Sequence, residues 1–230
     1  MRETLVYPLH AASFVPVVGT LVVFALSYRY AAALSPTLSA LLPGTIALVS
    51  LLVVVGYLSR VLVSKESVPP AFSVGSSLRT GFVSAVVAGC FLTVPVALLL
   101  STVLWPTGPS ADGITSGSLM FLVSSTAAIV FFVAVAYVLP ASIAAVMETN
   151  SLRSAVDSAA VGPPISSVQY LSAWTTGVSI LGLGIAPLAL AVASGDLLGV
   201  LGLFAGAYLL IAGTHVIAKG QPRMGGYSVD

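Results

Sequence analysis

The residues able to do chemistry are few. The 230-residue chain holds two histidines, His10 and His215, one cysteine, Cys90, and seven Asp or Glu side chains. Serine catalysis needs a hydroxyl beside a base that a third group orients. The pairing on offer is Ser179 with His215, on the last two apolar runs. Nothing in the sequence orients that imidazole, and hydroxyls in apolar helices usually bond to backbone carbonyls, so both residues are assigned to structure. Ser194-Gly195-Asp196 has a faint likeness to the Gly-x-Gly-Asp of intramembrane aspartyl proteases. That chemistry shares one proton between two carboxylates, yet no other acidic residue falls mid-run, and Ala193 stands where the first glycine belongs. The tripeptide is therefore expected to be a tight hairpin, with Asp196 as the N-cap of the helix that follows. A single thiol forms no internal disulfide, and there is no CxxC or Cys/His cluster for zinc. No catalytic residue, metal or cofactor is expected.

The elements that carry these residues are set by composition. Charged residues make up 7% and hydrophobic residues 58%, and the mean hydropathy is +1.10. Soluble domains carry roughly 25% charged residues, so this chain cannot build a polar shell and a bilayer must cover it. The net charge of +1 points away from nucleic acid. A β-barrel would alternate apolar and polar residues, whereas these runs are apolar throughout. The expected fold is an all-α integral membrane bundle of about six transmembrane helices in one domain, each span needing about 20 residues. Charges and prolines place the spans at residues 12–31, 45–63, 81–104, 118–147, 167–193 and 197–218. The first is expected to be retained, because no small-x-small cleavage site follows it at the right distance.

Orientation follows from lysine and arginine. With the N-terminus cytoplasmic, the inside holds Arg2, Arg60, Lys65, Arg79, Arg153, Lys219 and Arg223, and the outside only Arg29. Both termini are thus expected in the cytoplasm, with the chain in the cell membrane. Tyr28, Tyr30 and Trp105 are expected in the outer aromatic belt, and Tyr57, Tyr170 and Trp174 in the inner one. Around residues 151–157, Leu152, Ala155, Val156 and Ala159 share a helical face opposite Arg153 and Asp157, which predicts a short cytoplasmic interfacial helix. Leu58–Pro70 and Leu152–Pro164 also share a polar stretch ending in Pro-Pro, the kind of internal echo that duplication would leave.

Two segments carry a family resemblance. One is Gly56-Tyr57-Leu58-Ser59-Arg60-Val61-Leu62 with Glu66 and Pro69-Pro70-Ala71-Phe72. The other is Tyr137-Val138-Leu139-Pro140-Ala141 with Leu152, Ala155 and Tyr170-Leu171-Ser172-Ala173-Trp174. Together they resemble the multi-pass membrane family called domain of unknown function 4013, found mainly in haloarchaea, over roughly residues 50–215. Ser73-Val74-Gly75 departs from the acidic and Trp residues that members often carry after PPAF. The resemblance implies an archaeal membrane setting and supplies no activity.

The remaining candidates concern packing and recognition. Gly199, Gly202, Gly206 and Gly213 line one side of the sixth span, with Gly177, Gly182 and Gly184 on the fifth as partners; small residues let helix backbones approach. Intramolecular packing is expected, with dimerisation as the alternative. Pro16, Pro95, Pro140 and Pro187 fall within four spans and can kink them. Arg29 is expected to snorkel at the outer interface, the alternative being an anion or lipid-headgroup contact. The loop with Arg60, Lys65, Pro69, Pro70 and Phe72 is the expected recognition element. The function expected is a non-enzymatic scaffold or accessory subunit, whose partners are the bilayer and either another membrane protein or a second copy. A small permease for an uncharged or apolar solute is the alternative.

The charge distribution carries its own test. Reporter fusions within residues 33–42, 106–117 and 194–196 should all read external. A cytoplasmic signal from the 106–117 loop would overturn the topology.

Overall fold

A computed structural model describes residues 7–10, 13–64, 66, 68–104, 116–194 and 196–221. Arg2, Lys65, Trp105, Gly195 and Arg223, used in the sequence reading, lie outside the described residues. Among the described residues seven α-helices follow one another: α1 Phe14–Leu34, α2 Leu41–Val63, α3 Val74–Leu104, α4 Ser116–Thr149, α5 Ser158–Ile165, α6 Val168–Ser194 and α7 Leu197–Gly220. Short 3-10 turns stand at Tyr7–His10, Leu38–Ala40 and Leu152–Val156. There is no strand among the described residues. All but α5 contain a segment long and apolar enough to cross a membrane, so the fold is an all-α bundle of six such helices.

Helix starts explain most of the differences from the expected spans. Pro43 lies in the first turn of α2 rather than before it, and Pro16 in the first turn of α1. An N-terminal turn has no intrahelical partner for its N–H groups, so proline costs nothing there. Pro16 is therefore not a kink. α3 begins at Val74 and runs through Arg79, because helix geometry continues past the apolar boundary where a charge can reach water. At the α6–α7 hairpin, the Asp196 carboxylate accepts from the Gly199 N–H at 3.1 Å. That bond holds its pKa below the ordinary carboxylate value.

Two sequence patterns dissolve in three dimensions. Leu58–Val63 ends α2, with Pro69 and Pro70 outside any helix, whereas Leu152–Pro164 is a 3-10 turn followed by α5, with Pro163 and Pro164 inside that helix. The two segments share no conformation. The expected apolar face around residues 152–159 also splits. Ala155 packs with Val87 and Val146 between α3 and α4, while Leu152 and Val156 are exposed.

Helix α2 is the centre of the bundle, packing on α1, α3, α4 and α7. One core joins Val17 and Leu21 of α1, Val54 and Val61 of α2, and Leu203, Ala207 and Ile211 of α7. A second joins Leu62, Ala141, Tyr170 and Ile217 where α2, α4, α6 and α7 converge. Away from these, α4 presents Leu122, Val123, Val130 and Phe131 outward, a surface that only lipid or an apolar partner can cover.

Glycines decide how close the helices come. A Cβ on Gly56 would overlap the Ser77 carbonyl oxygen, and one on Gly81 the Leu52 carbonyl oxygen. The α2–α3 crossing is thus a backbone-to-backbone contact. In the α6–α7 hairpin, Gly199, Gly202, Gly206 and Gly213 are all buried and face α6. A Cβ on Gly202 would strike the Pro187 carbonyl oxygen, whereas one on Gly206 would meet the Leu188 side chain, which can turn aside. Gly177 and Gly184 answer from α6, but a Cβ on Gly182 would meet nothing within 4 Å, so Gly182 is no partner.

Substitution by alanine should separate these cases. Gly182→Ala is expected to be neutral or slightly stabilising in detergent, since alanine favours helix by about 1 kcal/mol. Gly56→Ala and Gly202→Ala should each lose about 1–3 kcal/mol by overpacking, seen as earlier thermal unfolding, and Gly206→Ala should lose less. Equal melting of Gly56→Ala and Gly182→Ala would show that α2 and α3 do not cross at Gly56.

Candidate functional site at the basic end

The Gly56–Gly81 crossing positions two residues that follow Gly56 on α2. Tyr57 and Arg60, one helical turn apart, come to lie against the segment that joins α2 to α3. That segment contains Pro69-Pro70, which favours extended backbone with no hydrogen bonds of its own. Its carbonyls therefore need partners from elsewhere. Ser13 Oγ donates to the Pro70 carbonyl at 2.8 Å. Arg60 Nη1 donates to the Ala71 carbonyl and to Ser76 Oγ, each at 3.0 Å. The Tyr57 and Phe72 rings pack with centroids 5.7 Å apart, and Pro69 is buried. Of the expected loop residues, Arg60, Pro69, Pro70 and Phe72 are thus brought together.

Beneath the loop lies a feature missed in the sequence. Tyr7, seven residues before α1, stacks its ring on His215 of α7 at 3.5 Å and 12°. Tyr57 is fully buried beside it in the same core, not set in an aromatic belt. Burial, reinforced by Tyr57 and then by Glu66, pushes the Tyr7 phenol up to about 12. Ser179, by contrast, is exposed and its hydroxyl donates to the Thr175 carbonyl at 2.8 Å. It is not paired with the buried His215. A carboxylate or hydroxyl pattern in the sequence could not have revealed Tyr7, since its partner is more than two hundred residues away.

The second family segment builds an equivalent joint between α4 and α6. Pro140 has no N–H, so it leaves the Ala136 carbonyl, four residues earlier, without a helical donor. Trp174 Nε1 donates to that oxygen at 3.1 Å. Tyr170 Oη donates to the next carbonyl, Tyr137, at 2.9 Å, and Tyr137 Oη donates to the Ile165 carbonyl at 2.7 Å. Tyr137 meets both other rings at centroid distances of 5.2 Å. The carbonyl freed by Pro140 is satisfied by tryptophan. Tyr170, also fully buried, is a structural donor and not a belt residue.

Between these joints a pocket of about 570 Å³ opens among the ends of α2 and α4 and the start of α3. Arg60 and Arg79 line it, with Ser76, Thr80 and Asn150. Asn150 ends α4 at φ 52°, in the left-handed region where asparagine is tolerated. No carboxylate lines the pocket among the described residues. No cluster of His, Cys, Asp and Glu able to hold a metal occurs among them either.

At the other end of the bundle, Tyr28, Arg29 and Tyr30 are exposed on α1. Arg29 and Asp196 line one cleft of about 100 Å³, a proximity that sequence distance concealed. Cys90 lies exposed on α3, beside Phe91, Val94 and Phe131.

No curated protein and no solved structure matches the chain. The family described as "Protein of unknown function (DUF4013)" matches residues 40–194, from the turn before α2 to the end of α6. Both joints that hold the basic end have their principal residues, Gly56, Tyr57, Arg60, Phe72, Tyr137, Pro140, Tyr170 and Trp174, inside that stretch. With more than half of its length matched, the chain belongs to the DUF4013 family.

Proposed function

We propose that the protein is a non-enzymatic scaffold or accessory subunit of an archaeal cell membrane, with both termini and the basic end in the cytoplasm. The observation that carries this reading is the clamp of Arg60 on Ala71 and Ser76. It ties the end of α2 to Ala71 and to the first turn of α3, while Val68, Ala71 and Ser73 remain exposed before that helix and Val74 at its start. A preorganised surface loses little entropy when a partner docks. The orientation rests on lysine and arginine bias, and the archaeal setting on the family resemblance.

The test places a photo-crosslinking residue at Val68 or Ser73 in the full-length protein, in the membranes of its own cell. One discrete adduct at these positions is expected, strongly reduced by Arg60→Ala in a variant that still melts cooperatively. Absence of adducts at both positions, together with uptake of an uncharged solute by proteoliposomes carrying the purified protein, would replace the scaffold with a permease.

A further inference from the structure

We propose that the pocket between Arg60 and Arg79 is a binding site for a phosphate group at the membrane face, suited to the headgroup of an anionic phospholipid. Two guanidinium groups line it with no opposing carboxylate among the described residues. Guanidinium pairs phosphate oxygens through two parallel N–H donors, a geometry that lysine cannot offer. Arg60 is already oriented, because Nη1 is tied to Ala71 and Ser76. Arg79 and Thr80 follow Ser76 by three and four residues, so one face of α3 presents a guanidinium and a hydroxyl to the pocket, while Ser76, which accepts from Arg60 and donates to the Ser73 carbonyl, holds the first guanidinium in place. These residues stand in the first turns of α3, where the helix dipole adds positive potential.

The rest of the lining favours an amphiphile. Val63, Val83, Met147 and Leu152 close the pocket on its other sides, and Leu152 is exposed at its edge. The site therefore grades from charged to apolar, as a headgroup does where it joins its acyl chains. Its volume of about 570 Å³ lies within the few hundred to a thousand cubic ångströms usual for small-molecule sites. It also sits where apolar helices end, at headgroup depth.

Binding of dioctanoyl phosphatidylglycerol, inorganic phosphate and dioctanoylglycerol to the purified full-length protein in neutral detergent would test the site. Arg79→Gln is the deciding variant, since Arg79 is exposed and takes no part in the loop clamp, so the fold survives its loss. Its affinity for phosphatidylglycerol should fall about tenfold, the loss of one charge-assisted pairing. Arg153→Gln, outside the pocket, should leave it unchanged. Dioctanoylglycerol, which lacks the phosphate, should bind far more weakly. Lipid binding that inorganic phosphate does not displace assigns the site to a headgroup. Arg79-dependent binding of phosphate alone, displacing the lipid, assigns it to a free phosphate compound and supports the same chemistry. Wild-type affinity for both phosphate probes in Arg79→Gln, or equal affinity for dioctanoylglycerol, would overturn the proposal.

Discussion

The crossing of α2 and α3 at Gly56 and Gly81 is the constraint on which the basic end depends. Where two helices touch through backbone, their relative position is set more sharply than side chains can set it, because nothing flexible lies between them. Gly56 is followed at once by Tyr57 and one turn later by Arg60. Fixing Gly56 against Ser77 therefore fixes Tyr57 over Phe72 and Arg60 beside Ala71 and Ser76. A wider crossing would carry the guanidinium away from the carbonyl that needs it. The glycine and the arginine of the family segment are parts of one device.

Polar groups in this protein are placed by the scarcity of water. An unpaired carbonyl is costly where water is scarce, and among those that helix hydrogen bonding leaves over are Pro70, Ala71 and Ala136. Each receives a donor from a different element, Ser13, Arg60 and Trp174. The aromatic and basic residues that look in sequence like surface anchors are in large part the donors that make proline tolerable. Prolines thereby become fixed joints and not hinges. That is why a proline inside a helix, as at Pro140, argues for rigidity as readily as for motion.

The six apolar helices were legible because their signal is bulk composition, which needs no partner to interpret. The Asp196 cap was legible for the same reason, as a local bond to a residue three places on. Helix starts were blurred, since charge and proline mark where a chain meets water and not where hydrogen bonding begins; Val74 and Leu41 show the difference. Tyr57 and Tyr170 were misassigned because an aromatic near a span end fits equally a belt and a buried core position, and only the neighbouring helix decides. The Arg60–Arg79 pocket was invisible in outline, although both residues had been counted, because its walls come from three helices that meet only at one end.

The Tyr7–His215 stack has a bearing on how the chain is assembled. Tyr7 leaves the ribosome some two hundred residues before His215, and domains take shape as synthesis proceeds. The slot that receives the Tyr7 ring does not exist until α7 is in place. The segment that carries Tyr7 must therefore wait, undocked, while α1 to α6 form, and its closure comes only with α7.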